Sequence, residues 1–426
     1  MKKAGVAILG LGVVGGGTYK ILTDNKEYFK KSQNVDVTVE CVLEKNVDRA
    51  LSLGIEKEKV ASSIEEVVTN PNVDIVVEVI GGVEPAKTFV LKALLSGKTV
   101  VTSNKELFAK HWPELEAAAK KMRTGLFYEA SCVGGVPIIR TLHDGMQANK
   151  ISVLKGIING TTNYILTKMA NEGSSYEEAL KEAQRLGYAE FNPTADVEGF
   201  DATYKLSILS SLAFNTKICI DNVYREGITN IDKEDIAIGK ELGYVLKLLG
   251  IGKNTENGIE VRVHPTFVKA SDPLASVNDS FNAVFIEGDA VGEIMLYGRG
   301  AGALPTGSAI VSDVIYAIKH DDYCYTTFRN DAKGNKATKF VKDFNTKYYI
   351  RLSVSDQPGA LSKITGLFSK NNISIKEVRQ IIASEGEAQV VITTHLCAES
   401  LVKKTLDKIN QLAEVFAVKG MVRIED

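Results

Sequence analysis

Residues 4–17 read AGVAILGLGVVGGG. The run 4–9 is apolar, and GLGVVG follows at once, with Gly10, Gly12 and Gly15 in G-x-G-x-x-G spacing. A helical pattern then runs from Val13 to about Lys30. A strand, this glycine spacing and a helix, in that order, form the dinucleotide-binding turn. The glycines let the backbone turn tightly and approach a pyrophosphate, which sits on the helix N-terminus. Gly10, Gly12, Val13, Val14 and Gly15 are therefore candidate cofactor contacts. Gly16 and Gly17 extend the run and leave a second register open for the third glycine.

Moving outward, VDVTVECVL (35–43) reads as the second strand and ends at Glu44. An acid there bonds a ribose 2′-OH and disfavours a 2′-phosphate. Two other readings stay open: Glu44 caps the next helix, or Lys45 and Arg49 hold a phosphate. The balance leans to NAD over NADP. VDIVVEVI (73–80) is a buried strand ending at Gly81-Gly82, as a parallel sheet requires. A helix over 85–96 and a strand over 98–102 follow, and Ser103-Asn104-Lys105 opens another helix. Ligands in such sheets bind off the carboxyl ends of strands. Ser103 and Lys105 stand at such an end, although Lys105 also fits an ordinary exposed helix lysine. LFYEAS (126–131) reads as one more strand and closes the domain near residue 130.

After Glu129 comes ASCVGGVPII, then a helical pattern over 136–147. This loop either offers carbonyl oxygens to a hard cation or is a plain crossing between domains. KISVLKGIING (150–160) reads as a strand leading into Asn159-Gly160-Thr161-Thr162-Asn163. Thr161 or Thr162 is the expected N-cap of a helix over 163–172, and a second helix covers 175–187. Next stands LGYAEFNPTADVEGFDATYKLSILSSLAF (186–214). Glu190, Asp196 and Glu198 lie in its Gly/Pro-rich loop. Asp201 and Lys205 are four apart and share a stripe with Ile208 and Leu212, the spacing of an inward face. A surface ion pair is the plain reading of Asp201 and Lys205. The apolar run behind Lys205 and the acids ahead of it point instead to a site. Strands are expected near 217–220, 259–269, 281–287 and 292–298. YGRGAGALPTGSAIVSDVIYAIKH (297–320) is a glycine-rich turn, containing Gly302, that opens a helix over 305–320. That helix is expected to return to the first domain.

Residues 329–347 are polar and read as a linker. From 348 onward the order is β-α-β-β-α-β, the ferredoxin-like arrangement. Asp356, Pro358 and Gly359 form the turn before its first helix, either a small-ligand site or only a turn. Two helices on one side of this sheet leave a face and an edge free for a second copy.

The chain has 426 residues, 44% hydrophobic and 24% charged, with a net charge of −2. That is a globular composition of several domains. It carries no basic block for nucleic acid or an anionic membrane, and no apolar run long enough to span a bilayer. Five scattered cysteines without C-x-x-C spacing indicate a reducing, cytoplasmic setting and no zinc.

With the glycine turn, SNKE (103–106), NGTTNYIL (159–166) and the acids and lysine of 190–205 in place, residues 1–320 resemble a homoserine dehydrogenase. Residues 348–426 resemble an ACT domain, with DQPGAL (356–361) as its loop. No aspartate-kinase segment precedes the first domain, which matches the monofunctional type. The resemblance implies an α/β protein in three parts. These are a Rossmann-type domain (1–130, rejoined by helix 305–320), an α+β catalytic and dimerisation domain (131–304) and the ACT domain (348–426).

It implies reversible NAD(P)H-dependent reduction of L-aspartate 4-semialdehyde to L-homoserine, on the route to threonine and methionine. Lys205 is then the acid/base, Lys105 lies beside substrate and nicotinamide, and Asp201 and Glu190 hold the substrate, with Asp196 in reach. A monovalent cation, Na+ or K+, sits on mostly backbone oxygens of Glu129, Cys132, Gly134 and Val136. Threonine or another amino acid binds at Asp356, Pro358, Gly359, Ala360 and Leu361. The protein is a homo-oligomer, dimer or tetramer, without nucleic-acid or membrane partners. Deleting 348–426 is expected to remove regulation and spare catalysis. NADP-using members commonly have an arginine just after the second strand. Leu43-Glu44 stands there instead, which again favours NAD. The alternatives are a non-catalytic regulator that binds NAD and an amino acid, or another amino-aldehyde dehydrogenase. An acyl-enzyme route would have only Cys132 as nucleophile.

Overall fold

A computed structural model describes residues 1–320, 323, 325, 326, 328 and 338–425. Cys324 and residues 329–337 of the expected linker lie outside the described residues.

The first layer is a parallel sheet of six strands. Its spatial order is Val60–Ala61, Val35–Leu43, Lys2–Leu9, Ile75–Glu78, Thr99–Thr102 and Leu126–Phe127. Ile75–Glu78 and Thr99–Thr102 are wholly buried, with apolar centres as a parallel sheet covered on both faces requires and with Glu78, Thr99 and Thr102 as buried polar ends. The order reverses between Lys2–Leu9 and Ile75–Glu78, and the crevice at their carboxyl ends is the ligand-binding switch point of such sheets.

Several local expectations change. The long first helix is two, Val13–Asp24 and Lys26–Gln33, broken at the non-helical Asn25. The charged second piece buries only Phe29, so nothing holds it in line with the first. The strand over 126–131 stops at Phe127. A tight turn, Glu129–Ser131, carries the chain off because the Glu129 carboxylate is drawn inward. The helix over 136–147 is a short coil, Ile138–Arg140, that widens over Thr141–Gly145. The strand near 217–220 is absent. A tight turn, Ile220–Asn222, precedes the two-residue strand Tyr224–Arg225. Helix Lys233–Glu241 and strand Tyr244–Thr255 add elements that the sequence had not indicated.

The second sheet is mixed. Along it lie Gly292–Arg299, Phe281–Gly288, Ile151–Ile157, Tyr244–Thr255 and Gly258–Lys269, then Val415–Glu425, Asn345–Ser355, Glu387–Thr394 and Ile375–Ser384. The last four are the ferredoxin-like tail, with helices Ala360–Lys370 and Glu399–Ile409 on one face. The tail is not a tethered module. Val415–Glu425 pairs in parallel with Gly258–Lys269 through Thr266–Arg423, Phe267–Ile424 and Val268–Glu425. The sheet edge expected to be free is thus taken by the same chain. Part of the second face is covered too: Tyr349 bonds Asp235 of helix Lys233–Glu241 at 2.9 Å and packs edge-on against Phe267. Even the end of the expected linker is held, with Ile259 donating to Lys339 and accepting from Val341. The strand Ile375–Ser384 keeps an unpaired edge among the described residues, with Ile382 73% exposed.

Helix Ala303–Lys319 packs on Val13–Asp24 so closely that a Cβ on Gly17 would lie 2.2 Å from the Ala303 carbonyl oxygen. This contact brings Gly302 to the glycine turn. No helix among the described residues is long and apolar enough to cross a membrane.

Candidate active site

The glycine turn fits a dinucleotide. Gly10 has φ +93°, and a Cβ on Gly15 would meet the Gly10 carbonyl oxygen at 2.0 Å. Both positions need glycine. A Cβ on Gly12 would meet nothing within 4 Å, so a phosphate has room to approach there. Val13 is 66% exposed at the helix start, and Val14 is half-buried against the core behind it. Gly302, with φ +118°, leads into helix Ala303–Lys319.

The Glu44 carboxylate accepts from Leu11 N at 2.6 Å and from Asn46 N at 3.0 Å. It therefore ties the second strand to the glycine turn. The helix-capping role goes to Asn46, whose side chain accepts from Arg49 N. Burial pushes the Glu44 carboxyl up, but these backbone N–H groups and Arg49 outweigh it, so it sits below its ordinary value. Gly10, Gly12, Glu44, Lys45 and Arg49 line one crevice.

Across the switch point, Lys105 is placed by a buried polar cluster. Glu78 accepts from Thr102 Oγ1 at 2.6 Å and from Ile80 N at 2.8 Å. Burial pushes its carboxyl up. Asn104 caps the helix Lys105–Met122 by accepting from Leu107 N, and its amide donates to Gly82 O at 2.7 Å. Ser103 N in turn donates to Glu78 O. The strand end is thereby fixed on both sides, and Lys105 projects into the space between the two domains.

Helix Phe200–Ala213 begins at Gly199, φ +79°, and presents Asp201 and Lys205 inward. Their residues are 6% and 9% exposed. Lys205 Nζ donates to Asp201 Oδ2 at 2.7 Å and to Ile158 O at 2.9 Å. The other Asp201 oxygen is 3.3 Å from Lys105 Nζ. Burial alone would push Asp201 up. The Lys205 and Lys105 ammonium charges overcome it and hold the carboxyl well below the usual carboxylate range. The Asp201 charge in turn raises Lys105.

Asn159 completes the group, and the sequence had not singled it out. It is the N-cap of helix Gly160–Glu172, in place of the expected Thr161 or Thr162: its Oδ1 accepts from Thr162 N at 2.8 Å. Its Nδ2 donates to Asp201 Oδ2 at 2.8 Å and to Asp196 Oδ1 at 2.7 Å. Burial and the neighbouring Asp201 push Asp196 up. The available signal was asparagine at a strand end followed by a helix, a strong capping pattern. Glu190 is exposed on the loop before Asp196, and its carbonyl oxygen accepts from Gln184.

The Glu129 carboxylate accepts from Ile139 N and Arg140 N, and its own N–H donates to Asp313. Burial and Asp313 push it up to about 7. Val133 and Gly134 follow one another in the left-handed region. Cys132 is buried, its thiol pushed up to about 12 by burial, and it faces the Lys205 carbonyl oxygen. A buried thiol raised in this way lacks the thiolate character that a nucleophile needs. Among the described residues no cluster of three His, Cys, Asp or Glu side chains forms a metal site. In the tail, Asp356 accepts from Gln380 at 3.1 Å, Gly359 takes φ +93° and Ala360 starts the helix; Leu361 packs on the tail core.

Similarity to known proteins agrees with this layout. Residues 137–315 match the family model described as homoserine dehydrogenase, 10–129 the homoserine dehydrogenase NAD binding domain, and 348–414 the ACT domain. A homoserine dehydrogenase of Bacillus subtilis is 42% identical over 100% of this chain and 99% of its own. A crystal structure of a homoserine dehydrogenase from Thiobacillus denitrificans superposes with a TM-score of 0.93 at 40% identity, covering 100% of this chain and 99% of that one. A hyperthermophilic archaeal homoserine dehydrogenase in complex with NADPH matches at TM-score 0.64 and 27% identity, over 76% of this chain and 100% of its own. The chain belongs to the homoserine dehydrogenase family, with an NAD-binding domain ahead of the catalytic domain and an ACT domain behind it.

Proposed function

We propose that this chain interconverts L-aspartate 4-semialdehyde and L-homoserine with Lys205 as the proton donor and acceptor and Asp201 as the group that fixes it. A nicotinamide dinucleotide in the crevice supplies or accepts the hydride. Reduction of the aldehyde turns its oxygen into an alkoxide, which needs a proton at hand. Asp201 holds the Lys205 ammonium toward the space between the domains, and the Ile158 carbonyl oxygen fixes its direction. Lys105, from the nucleotide-binding domain, meets the same carboxylate and steadies developing negative charge from the cofactor side. Asp196 and Asp201 offer carboxylates to a substrate ammonium, and Glu190, on the exposed loop before them, is assigned to the same substrate. The observation that carries this reading is the single buried carboxylate shared by one lysine from each domain.

NAD is the preferred cofactor in this reading: the Glu44 carboxylate lines the crevice beside the glycine turn, and an acid at the end of this strand disfavours a 2′-phosphate. A monovalent cation, Na+ or K+, on carbonyl oxygens of the Glu129–Val136 loop belongs to the same reading. Its support is the left-handed Val133, a strain of about 1–3 kcal/mol that a bare connection does not need. Threonine or another amino acid is assigned to the turn 356–361, and a dimer or tetramer to the assembly. The activity is tested by following nicotinamide absorbance with L-homoserine as substrate. Turnover supports the dehydrogenase; binding of NAD and amino acid with no absorbance change would establish a non-catalytic regulator.

A further inference from the structure

A cavity lies between the last strand of the tail and the catalytic domain, away from the two lysines. Glu198, Arg225 and Asn230 line it from the catalytic domain, and Val418, Lys419 and Met421 from the tail. Its polar groups have capacity to spare. Arg225 donates from Nη1 to the Glu198 carbonyl oxygen and lays its guanidinium 3.6 Å from the centre of the Phe200 ring. Its Nε and Nη2 make no hydrogen bond among the described residues. Lys419 and Asn230 are exposed and their side chains make no hydrogen bond among the described residues, although Lys419 feels the Asp232 carboxylate. Glu198 accepts only a 3.2 Å bond from Thr229 at its carboxylate. Glu226 and Arg423 also line the cleft but are paired with each other; the remaining two cations, the Glu198 carboxylate and the apolar Val418 and Met421 are the complement of a small zwitterion.

We propose that this interdomain cavity binds a free α-amino acid, with its carboxylate between Arg225 and Lys419, its ammonium on Glu198 and its side chain against Val418 and Met421. The site is separate from the turn 356–361, and its failure would leave the roles of Lys205 and Asp201 untouched.

The cavity is wired to the catalytic helix by short contacts. Arg225 belongs to the two-residue strand Tyr224–Arg225, paired with Arg262 and Val263. The next residue, Glu226, is gripped by the buried Arg423 of the tail at 2.6 and 2.7 Å. Gly227 sits so close that a Cβ there would lie 2.3 Å from the Val197 carbonyl oxygen, and Ile228 N donates to that oxygen at 2.8 Å. Arg225 itself holds residues 198 and 200, and Asp201 follows directly. A ligand that draws the Arg225 guanidinium into the cavity acts on the first turn of the catalytic helix. By linkage, the factor by which it changes homoserine affinity is the factor by which homoserine changes its own.

The test is calorimetric titration of the full-length protein with each standard L-amino acid, for the wild type, Lys419→Gln, Glu198→Gln and Asp356→Ala. The expected result is binding of at least one amino acid. Its affinity should fall about tenfold or more in Lys419→Gln and in Glu198→Gln, as loss of a charge-assisted contact implies, and stay unchanged in Asp356→Ala. Lys419→Gln should keep its turnover without effector. No binding by any amino acid, or binding indifferent to Lys419→Gln, overturns the proposal.

Discussion

Lys205 Nζ lies 2.7 Å from Asp201 Oδ2, one helical turn away, and both side chains are buried. On a solvated helix such a pair contributes only about 0.3–0.5 kcal/mol. Here the carboxylate also takes an Asn159 amide and faces Lys105. The Asp201 carboxylate is thus held between two ammonium groups, one from each domain, with Asp196 beside it on the same Asn159 amide.

Asn159 carries two separable tasks, and substitution should divide them. Asn159→Ala loses the cap of helix Gly160–Glu172, at about 1 kcal/mol, and releases Asp196 and Asp201. Asn159→Asp keeps the cap but places a third carboxylate against those two. Thermal melts should show both variants destabilised, Ala by the lost cap and Asp by repulsion among the carboxylates that eases as pH falls, while both lower kcat by more than about tenfold. An Asp variant with wild-type turnover would remove Asn159 from the positioning role.

Glu44 predicts cofactor choice. NADH should give a higher kcat/KM than NADPH, and Glu44→Gln should move the ratio toward NADPH by on the order of tenfold, the worth of one charge interaction near a protein surface. A wild type that prefers NADPH would show that Lys45 and Arg49 govern the site instead.

Acid and neutral pH act on stability in opposite directions. Asp201 is held below its ordinary 3.8, so its contribution is present above that pH and is lost as pH falls further. Glu129 is raised from 4.5 to about 7, and Asp313 from 3.8 to about 6. For these two the folded state binds the extra proton, so stability declines as pH rises from about 4 to about 7. Melting temperatures across that window should fall for the wild type and fall less for Glu129→Gln. An unchanged slope in that variant would show that Glu129 does not titrate there.

Deleting 348–426 should not spare the enzyme, contrary to what the sequence suggested. The guanidinium of Arg351 is buried against Asp235 and also reaches Asp232 and Glu234 of the catalytic domain. Removing one partner of such a buried group is expected to cost about 3 kcal/mol or more. Chemical denaturation of Arg351→Ala should show that loss, and the truncated chain should melt lower still. A truncated protein as stable as the full chain would mean that the shared sheet contributes nothing.

The glycine turn, the parallel strands and the tail order were legible because each depends on local spacing: glycines at fixed offsets, apolar runs, alternating strands. The inward stripe of Asp201 and Lys205 was legible for the same reason, but its catalytic meaning came mainly from resemblance. What the sequence did not reveal is long-range. Thr266 and Arg423 are far apart in sequence, and neither carries a sign that their strands pair. Nothing in the sequence marks Arg351 and Arg423 as buried; only the fold surrounds them with Asp235, Glu226 and Glu399. Asn159 looked like one residue of a polar turn because its partners, Asp196 and Asp201, arrive from another element. The break at Asn25 and the early end of the strand at Phe127 were missed because helix and strand propensities continue past both points while tertiary packing does not.

The most direct test of the central claim is the steady-state oxidation of L-homoserine by Lys205→Ala beside wild type, with circular dichroism to verify the fold. The fold should stay intact and kcat should fall by about two to four orders of magnitude, the range of a lost general acid–base group. A folded Lys205→Ala enzyme turning over at near the wild-type rate would contradict it.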